Sequence, residues 1–345
     1  MTIKEIAEAL NVSTATVSNV IHGHYEKMAP DTAERIRKKV EEYQYIPNMG
    51  ARILAKGASQ MIGVITNYPN RREKLALQDP FVSEMIGALE NAIRSRGYFM
   101  MLRAAQSAPE IHQIAQTWNV DGLIVMGLQA NQCRELAAVS EKPLIFVDCY
   151  FDPGEAYNNI GLDDEGGMFR MTKYLLSVGH RRILFVGDQP SLWGVDAHRL
   201  LGHRRALEKA GLTWEEKNYE FISKDAAHRP KDYERLIKRI GAFTAFMFTS
   251  DYYATEAMNY FMDQGIRIPE DVSITGFDDN LLSRMVRPRL STVHQDVSLK
   301  ADQAAKSLIE LIEGEETGLI DLRLRPRVIR GESIRNLREN PLLKK

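Results

Sequence analysis

The chain has 345 residues, 44% of them hydrophobic and 26% charged, a composition that can bury a large core and a length that suggests two or three domains. Its formal net charge of −1 indicates neither nucleic acid nor an anionic membrane as a partner. No apolar run approaches the ~18 residues of a membrane span, and charges occupy the start of the chain, where a signal peptide is apolar. The two cysteines, Cys133 and Cys149, suit a reducing compartment. We therefore expect a cytoplasmic protein without a membrane partner.

The first sixty residues predict three short helices. Thr2 and Glu5 have the spacing of a capping box at the start of the first helix. Its apolar residues repeat at i, i+3, i+4 and i+7: Ile3, Ile6, Ala7 and Leu10. Ser13 can cap a second helix over about residues 14–21, and a third is expected near residues 30–43. None of them is long enough to be stable alone, so we expect one shared core.

The outer face of the second helix distinguishes two interpretations, a generic helical domain and a helix-turn-helix that enters the DNA major groove. An ordinary exposed face carries Lys and Glu, but no charged residue lies between Val12 and Ile21. Small hydroxyls, an alanine methyl and an asparagine allow close approach to base edges, and asparagine can bind adenine through two hydrogen bonds. The pattern favours DNA recognition.

Residues 2–57 resemble the DNA-binding segment of the lactose/galactose repressor (LacI) family of bacterial regulators. The resemblance is carried by four stretches: Thr2–Ala7, Val12–Ser18, Tyr45–Asn48 and Ala51–Leu54. It implies that Thr14, Ala15 and Asn19 contact base edges. It implies phosphate or base-edge contacts for Thr16, Ser18 and His22.

A further short helix is predicted over residues 48–55, with Asn48 as its cap. Gly50 costs this helix about 1 kcal/mol relative to alanine, so it is not expected to persist unaided. By the resemblance it is a hinge helix that orders when a dimer binds its operator. Asn48 and Ala51 then contact DNA, and Leu54 is wedged into a base step of the minor groove. Without the resemblance, Leu54 would be interpreted as an ordinary packing residue.

This segment departs from the family pattern at several positions. Ala29 stands where a serine cap is usual before the third helix, Gln44 where glycine is common, and Asn19 where arginine is frequent. Residues 1–60 carry eight basic and seven acidic side chains. Electrostatic affinity for DNA is therefore expected to be modest, and specific binding to need two headpieces.

From residue 60 onward, strands alternate with helices. The predicted strands are short apolar runs: Met61–Thr66, Tyr98–Leu102, Leu123–Val125, Leu144–Val147, Ile183–Val186, Phe246–Phe248 and Ser273–Phe277. Such alternation builds parallel sheets covered by helices, and two series of strands predict two lobes with a ligand site at the carboxyl ends of the strands.

The resemblance extends over nearly the whole chain and implies the fold class. An all-α helix-turn-helix (lambda-repressor-like) headpiece with a hinge helix, residues 1–57, precedes a two-lobed α/β domain of the type I periplasmic-binding-protein kind, residues 60–335. Because the chain crosses between the lobes three times in this fold, each lobe is discontinuous. Lobe 1 is expected at about 60–160 and 293–322, and lobe 2 at about 163–290 and 323–335.

The effector site is expected between the lobes. Asp148 and Asp278 end strands, and Arg199 begins a helix, so their charged groups can bind sugar hydroxyls. Taken alone, the aspartates would be helix caps and Arg199 a surface ion pair with Asp196. The resemblance favours effector contact for these three and adds further candidates: Trp193, Ser250 and Phe277. The run Asp163–Glu165 is interpreted as helix capping.

The sequence therefore predicts a regulator of transcription, expected to be a repressor, that binds a palindromic operator as a homodimer and responds to a small molecule, expected to be a sugar. The alternative is a cytoplasmic sugar-binding protein without regulatory DNA contact. A third possibility, a sugar-converting enzyme, is disfavoured because no nucleotide-binding, nucleophile-elbow or metalloprotease motif occurs. No cofactor, catalytic residue or metal site is expected.

Overall fold

The computed structural model describes residues 2–21, 23–25, 28–45, 58–67, 76–151, 154–155, 157–188, 194–315 and 318–338. The chain divides into two compact units, residues 1–59 and residues 60–345.

The first unit contains three helices, α1 (Ile3–Leu10), α2 (Thr14–Ile21) and α3 (Pro30–Glu42). The predicted capping box is formed at the start of α1: the Glu5 amide donates to the Thr2 hydroxyl at 3.3 Å, and the Thr2 amide donates to the Glu5 carboxylate at 2.8 Å. All three helices contribute to a small buried core: Ile6, Ala7, Val17, Val20, Ala33 and Ile36. The shared core expected from the sequence is thus present.

The second unit is built from parallel sheets and flanking helices. Its helices are α4 (Pro80–Ser95), α5 (Ala108–Thr117), α6 (Ala130–Val139), α7 (Asp164–Ser177), α8 (Gly194–Lys209), α9 (Arg229–Ile237), α10 (Asp251–Asp263), α11 (Leu281–Met285) and α12 (Val297–Glu313). Its strands are β1 (Met61–Thr66), β2 (Phe99–Ala104), β3 (Gly122–Met126), β4 (Leu144–Val147), β5 (Asn159–Leu162), β6 (Ile183–Gly187), β7 (Tyr219–Phe221), β8 (Ala245–Phe248), β9 (Ser273–Thr275), β10 (Thr292–His294), β11 (Asp321–Leu324) and β12 (Arg327–Ile329).

Two all-parallel sheets define the two lobes. The lobe 1 sheet has six strands in the order β11-β5-β4-β3-β1-β2, and the lobe 2 sheet has four in the order β7-β6-β8-β9. Two apolar clusters pack against the lobe 1 sheet. One includes residues of α4 and α12, and the other includes residues of α5 and α6. In lobe 2, one cluster includes α9 and α10, and the other includes α7 and α8. The alternating strand and helix pattern predicted this layered α/β architecture.

The connections between lobes lie side by side. Strands β5 and β11 pair in register from Asn159 with Asp321 to Leu162 with Leu324, two residues past both predicted ends of lobe 1. The chain passes from lobe 1 to lobe 2 after β5 and again after β11. It returns to lobe 1 between α12 and the preceding strand β10, which pairs antiparallel with β12. The carboxyl ends of both sheets therefore lie near the connections.

One predicted strand is too long. The apolar run Ser273–Phe277 forms a strand only to Thr275. A Cβ added at Gly276 would clash with a carboxylate oxygen of Asp251, and Asp278 has a φ of 127°. The backbone therefore turns after Thr275, because the packing of Gly276 and the positive φ of Asp278 end the extended conformation.

Candidate functional site

The outer face of α2 carries the residues that the sequence assigns to DNA contact. Val17 and Val20 are buried in the headpiece core, which turns Thr14 and Ala15 to solvent as exposed residues. The remaining described candidates are partly exposed: Thr16, Ser18 and Asn19. The helix bears no charge, so its outer surface is small and neutral.

Ser13 and Thr16 organise the start of α2. The Thr16 amide donates to the Ser13 hydroxyl at 3.0 Å, and the two hydroxyl oxygens lie 2.8 Å apart. Ser13 is thus the cap that the sequence predicts, and the hydroxyl of Thr16 is engaged within the headpiece. Four further candidates lie outside the described residues: His22, Asn48, Ala51 and Leu54.

Arg199 is the central cation between the lobes. Arg199 is 5% exposed. Its Nε donates to Asp164 at 2.7 Å, and its Nη1 donates to the Thr249 carbonyl at 2.6 Å. Asp196, the partner considered from sequence, is farther away at 3.7 Å. Burial disfavours the charge, but the carboxylates of Asp164, Asp278 and Asp196 outweigh it and raise the pKa of Arg199.

Asp164 is a buried site residue that sequence reasoning missed. Within the predicted capping run, Asp163 is the cap, since its carboxylate accepts from the Gly166 amide at 2.9 Å. Asp164 instead binds Arg199 and accepts from the Tyr150 hydroxyl. Tyr150 follows β4 of lobe 1, and its ring stacks on His198 of α8 at 3.8 Å between centroids. This group therefore links the two lobes.

A second chain of contacts runs from lobe 1 to lobe 2. Lys300 of α12 donates to both carboxylate oxygens of Asp148, at 2.8 and 2.7 Å, and to the amide oxygen of Gln295 at 2.8 Å. The Gln295 amide nitrogen donates to Asp278 at 2.7 Å. Burial raises the pKa of Asp148, and Lys300 opposes that rise. The two aspartates predicted from sequence are thus joined through two residues that it did not predict.

These two groups together form the interlobe junction, which is defined by seven residues: Asp148, Tyr150, Asp164, Arg199, Asp278, Gln295 and Lys300. Lys300 carried a recognisable signal in the sequence, because it lies at helical spacing within the apolar face of α12, where a lysine is unexpected. Tyr150, Asp164 and Gln295 carried no comparable signal in the sequence.

The remaining predicted effector residues differ in their placement. Phe277 is fully buried, and its ring lies under the Arg199 guanidinium at 3.7 Å, so it supports the arginine. Ser250 is 1% exposed and is the N-cap residue of α10, and its hydroxyl has no hydrogen-bond partner among the described residues. Trp193 lies outside the described residues.

Neither a cluster of metal-ligating side chains nor a membrane-spanning helix occurs within the described ranges. Within them, no group of three or more His, Cys, Asp or Glu side chains is arranged to hold a metal ion. Within them also, no helix has the length and apolar character needed to cross a membrane.

Comparison with known proteins defines the class. Residues 2–48 match the family of bacterial regulatory proteins of the lacI type, and residues 172–334 match a periplasmic binding protein-like domain. The PurR transcriptional repressor of Haemophilus influenzae is 30% identical over 330 residues, which are 92% of this chain and 93% of that protein.

Two solved structures share the fold. The Lac repressor dimer bound to operator and an anti-inducer has a TM-score of 0.83 at 23% identity, over 96% of this chain and 98% of that one. The CelR regulator in complex with cellobiose has a TM-score of 0.71 at 24% identity, over 96% and 99%. The headpiece and the two-lobed α/β domain predicted from sequence are confirmed.

The fold and the matched segments define a DNA-binding transcriptional regulator with a periplasmic-binding-protein-like domain. The chain belongs to the LacI family. The predicted resemblance and regulatory function are confirmed, and the alternatives of a sugar-binding protein without DNA regulation and of an enzyme are not supported.

Proposed function

We propose that this protein represses transcription in the cytoplasm by binding a palindromic operator as a homodimer. The observation that carries the proposal is the outer face of α2, which is small, neutral and exposed where Val17 and Val20 fix the helix on its core. Such a face fits against base edges in the major groove. Two chains related by two-fold symmetry present two such helices to the two halves of an operator.

The operator-contact set extends beyond the described part of α2. It comprises Thr14, Ala15, Thr16, Ser18, Asn19 and His22, with Asn48, Ala51 and Leu54 from the hinge segment. The PurR relative is named a repressor, and the structurally similar Lac repressor was solved as a dimer on its operator. These two names support both the repressor role and the dimer.

We also propose a sugar as effector, bound at the interlobe junction. Carboxylates, a guanidinium and a carboxamide converge there from both lobes, and these groups form directional hydrogen bonds with hydroxyls. The CelR structure contains cellobiose, which supports this ligand class. Asp148, Arg199 and Asp278 would contact the sugar, with Ser250 and Trp193 at the margin and Phe277 behind Arg199.

The operator proposal is tested with the full chain. A library of inverted-repeat duplexes is selected for binding, and fluorescence anisotropy is measured on the selected duplex, on one half-site and on a scrambled duplex. We expect tight, salt-sensitive binding to the full inverted repeat, and affinity for the half-site lower by orders of magnitude. Equal affinity for all three duplexes would contradict the proposal.

The effector proposal is tested by thermal unfolding with a panel of mono- and disaccharides that includes cellobiose. A ligand that binds only the folded chain raises Tm by mass action. We expect at least one sugar to raise Tm and to change operator affinity. A panel in which no sugar shifts Tm would remove sugars as the effector class while leaving the DNA-binding proposal intact.

A further inference from the structure

Lys300 is a fully buried lysine on the apolar face of α12. Its exposure is 0%, and the helix residues around it are buried as well: Val297, Ala301 and Ala304. An isolated ammonium group in such a place is very unfavourable, so its partners must compensate for the lost hydration. Those partners are two of the residues that line the junction between the lobes.

All three N–H groups of the ammonium are used within the protein. Two bind the two oxygens of Asp148, and the third binds the amide oxygen of Gln295, with every distance at 2.7 or 2.8 Å. A lysine ammonium has three donors and no acceptor, so Lys300 has none left for a bound molecule. Its influence on the site must therefore pass through Asp148 and Gln295.

Lys300 also determines how Gln295 is oriented. Because the Gln295 amide oxygen accepts from the ammonium, its amide nitrogen faces Asp278 and donates to it at 2.7 Å. The reversed amide would place a donor against the ammonium and an oxygen against the Asp278 carboxylate. The cation in lobe 1 thus controls which group is presented to lobe 2.

Both aspartates have backbone conformations that need such support. The φ angle of Asp148 is 55° and that of Asp278 is 127°, in the region that side chains other than glycine rarely adopt. Strained positions of this kind persist where surrounding contacts hold them.

We propose that Lys300 is a positioning residue that fixes Asp148 in lobe 1 and, through Gln295, Asp278 in lobe 2, without itself touching the effector. This inference rests on the proposed effector function, because it assigns Lys300 to the same junction. The buried lysine thereby fixes the relative position of Asp148 and Asp278, the two carboxylates proposed to bind the effector, across the lobes.

The charged groups that face Asp148 show what removal of Lys300 does. They are Lys300 on α12, Asp164 at the start of α7 and Arg199 on α8. Without the ammonium, the Asp148 carboxylate stays buried near another carboxylate, and it takes up a proton on folding. Loss of Lys300 should therefore raise the pKa of Asp148 further and increase the dependence of folding stability on pH through Asp148.

The variants for the test are Lys300→Met, the double variant D148N/K300M and, as a matched control, Lys306→Met. Lys306 lies on the same helix, is 52% exposed and pairs with Glu310. Methionine keeps the length of the lysine side chain without its charge. The double variant removes both charges of the buried pair and keeps a folded chain available if K300M unfolds.

The first readout is unfolding of the ligand-free full chain as a function of pH. The folded-state pKa of Asp148 in K300M lies above its unfolded value of about 3.9, so stability falls as pH rises from about 4 towards neutrality. We expect the folding equilibrium constant of K300M to drop roughly tenfold or more relative to wild type over this range. K306M should follow the wild-type profile, and D148N/K300M should lack the fall in stability that the Asp148 carboxyl produces.

The second readout is hydrogen exchange at residues 276–280 of lobe 2, which a role confined to lobe 1 would not affect. The Asp278 amide donates to the Val293 carbonyl at 2.8 Å. We expect its exchange to rise severalfold in D148N/K300M, where Gln295 has lost its anchor, and to stay at the wild-type rate in K306M. Unchanged exchange at Asp278, or a K300M profile without added pH dependence, would overturn the proposal. Neither readout uses operator or effector, so this outcome is independent of the tests of the proposed function.

Discussion

The Arg199 guanidinium lies 3.7 Å from the centroid of the Phe277 ring, and its Nε donates to Asp164 at 2.7 Å. The arginine is therefore held from two sides, by an aromatic face and by a carboxylate, as it reaches the interlobe junction. Arginine suits this position because its planar cation can stack on a ring and donate in its own plane at the same time. Because Arg199 has partners on two sides, its substitution should affect both the junction and the stability of the fold.

Arg199→Ala should abolish the effector response while operator binding is retained, because the headpiece is a separate compact unit. It should also destabilise the chain by about 3–5 kcal/mol, since Asp164 loses its buried partner. The measurements are urea unfolding and operator anisotropy with and without effector. The control is Arg205→Ala on the same helix, whose partly exposed ion pair with Glu165 should contribute at most about 1 kcal/mol. A retained effector response would remove Arg199 from the site.

Asn19→Ala should reduce discrimination at one base pair of each half-site by about 1–3 kcal/mol, because a paired contact to a base edge is lost. Non-specific affinity and its salt dependence should stay unchanged, since no charge is altered. Anisotropy on single-base operator variants measures this effect. Glu8→Ala, at an exposed position of α1, serves as the control. An equal loss of affinity on every duplex would contradict a base-reading role for Asn19.

Leu54→Ala should weaken operator binding and leave effector affinity intact, because the expected wedge acts only on bent DNA. The comparison is made on the selected operator and on a scrambled duplex, and only the first should lose affinity. If the operator affinity of the variant equals that of the wild type, Leu54 is not a wedge.

His203 should make the chain sensitive to acid. Burial lowers its pKa from 6.5 to about 3, so the unfolded chain binds an extra proton between these values and stability is lost as pH falls through this range. One such group costs about 2 kcal/mol between pH 6.5 and about pH 5. His203→Gln, which keeps an amide near Thr172, should reduce the change of the urea-unfolding midpoint with pH over this range. His112→Gln, at a partly exposed position, should show the same dependence of the midpoint on pH as the wild type. A dependence in H203Q as steep as in the wild type would exclude His203 as its source.

Ala29→Ser should stabilise the headpiece by about 1 kcal/mol. Ala29 is the cap residue of α3, has extended backbone angles and forms no side-chain capping bond. The Thr32 amide donates to the Ala29 carbonyl at 3.0 Å, and a serine hydroxyl there can accept from the same amide, as the Ser13 hydroxyl accepts from Thr16 in α2. Calorimetry of the full chain would show a higher transition temperature for the headpiece, and Ala29→Gly should give a smaller change. No rise with serine would show that the hydroxyl adds nothing to the existing bond between the Thr32 amide and the Ala29 carbonyl.

Local features were predictable from sequence because the residues that make them are neighbours. The capping box of Thr2 and Glu5, the cap at Ser13 and the buried face of α2 all depend on spacings of three or four residues. Strand β4 was predicted with its observed bounds because it is a short apolar run next to Pro143. Local spacing and short apolar runs are therefore sufficient to predict such elements.

The interlobe junction was only partly predictable. Asp148, Arg199 and Asp278 were expected there, but the ion pair of Asp148 joins residues 152 positions apart, and nothing in the sequence assigns that partner. Asp164 and Asp163 are indistinguishable as sequence, although one is buried against Arg199 and the other caps α7. Pairing at the junction is set by the tertiary fold.

The parallel pairing of β5 with β11 has a consequence for how the protein is made. The edge of the lobe 1 sheet is completed by residues 321–324, and Ser333 binds the Ile274 carbonyl of lobe 2 at 2.6 Å. Neither lobe can therefore finish folding on the ribosome until residues 321–333 have been synthesised. The headpiece, whose core lies within the first 36 residues, can form much earlier. A chain that stops before residue 321 would carry a folded headpiece without two completed lobes, so the α/β domain becomes complete only well after the headpiece has formed.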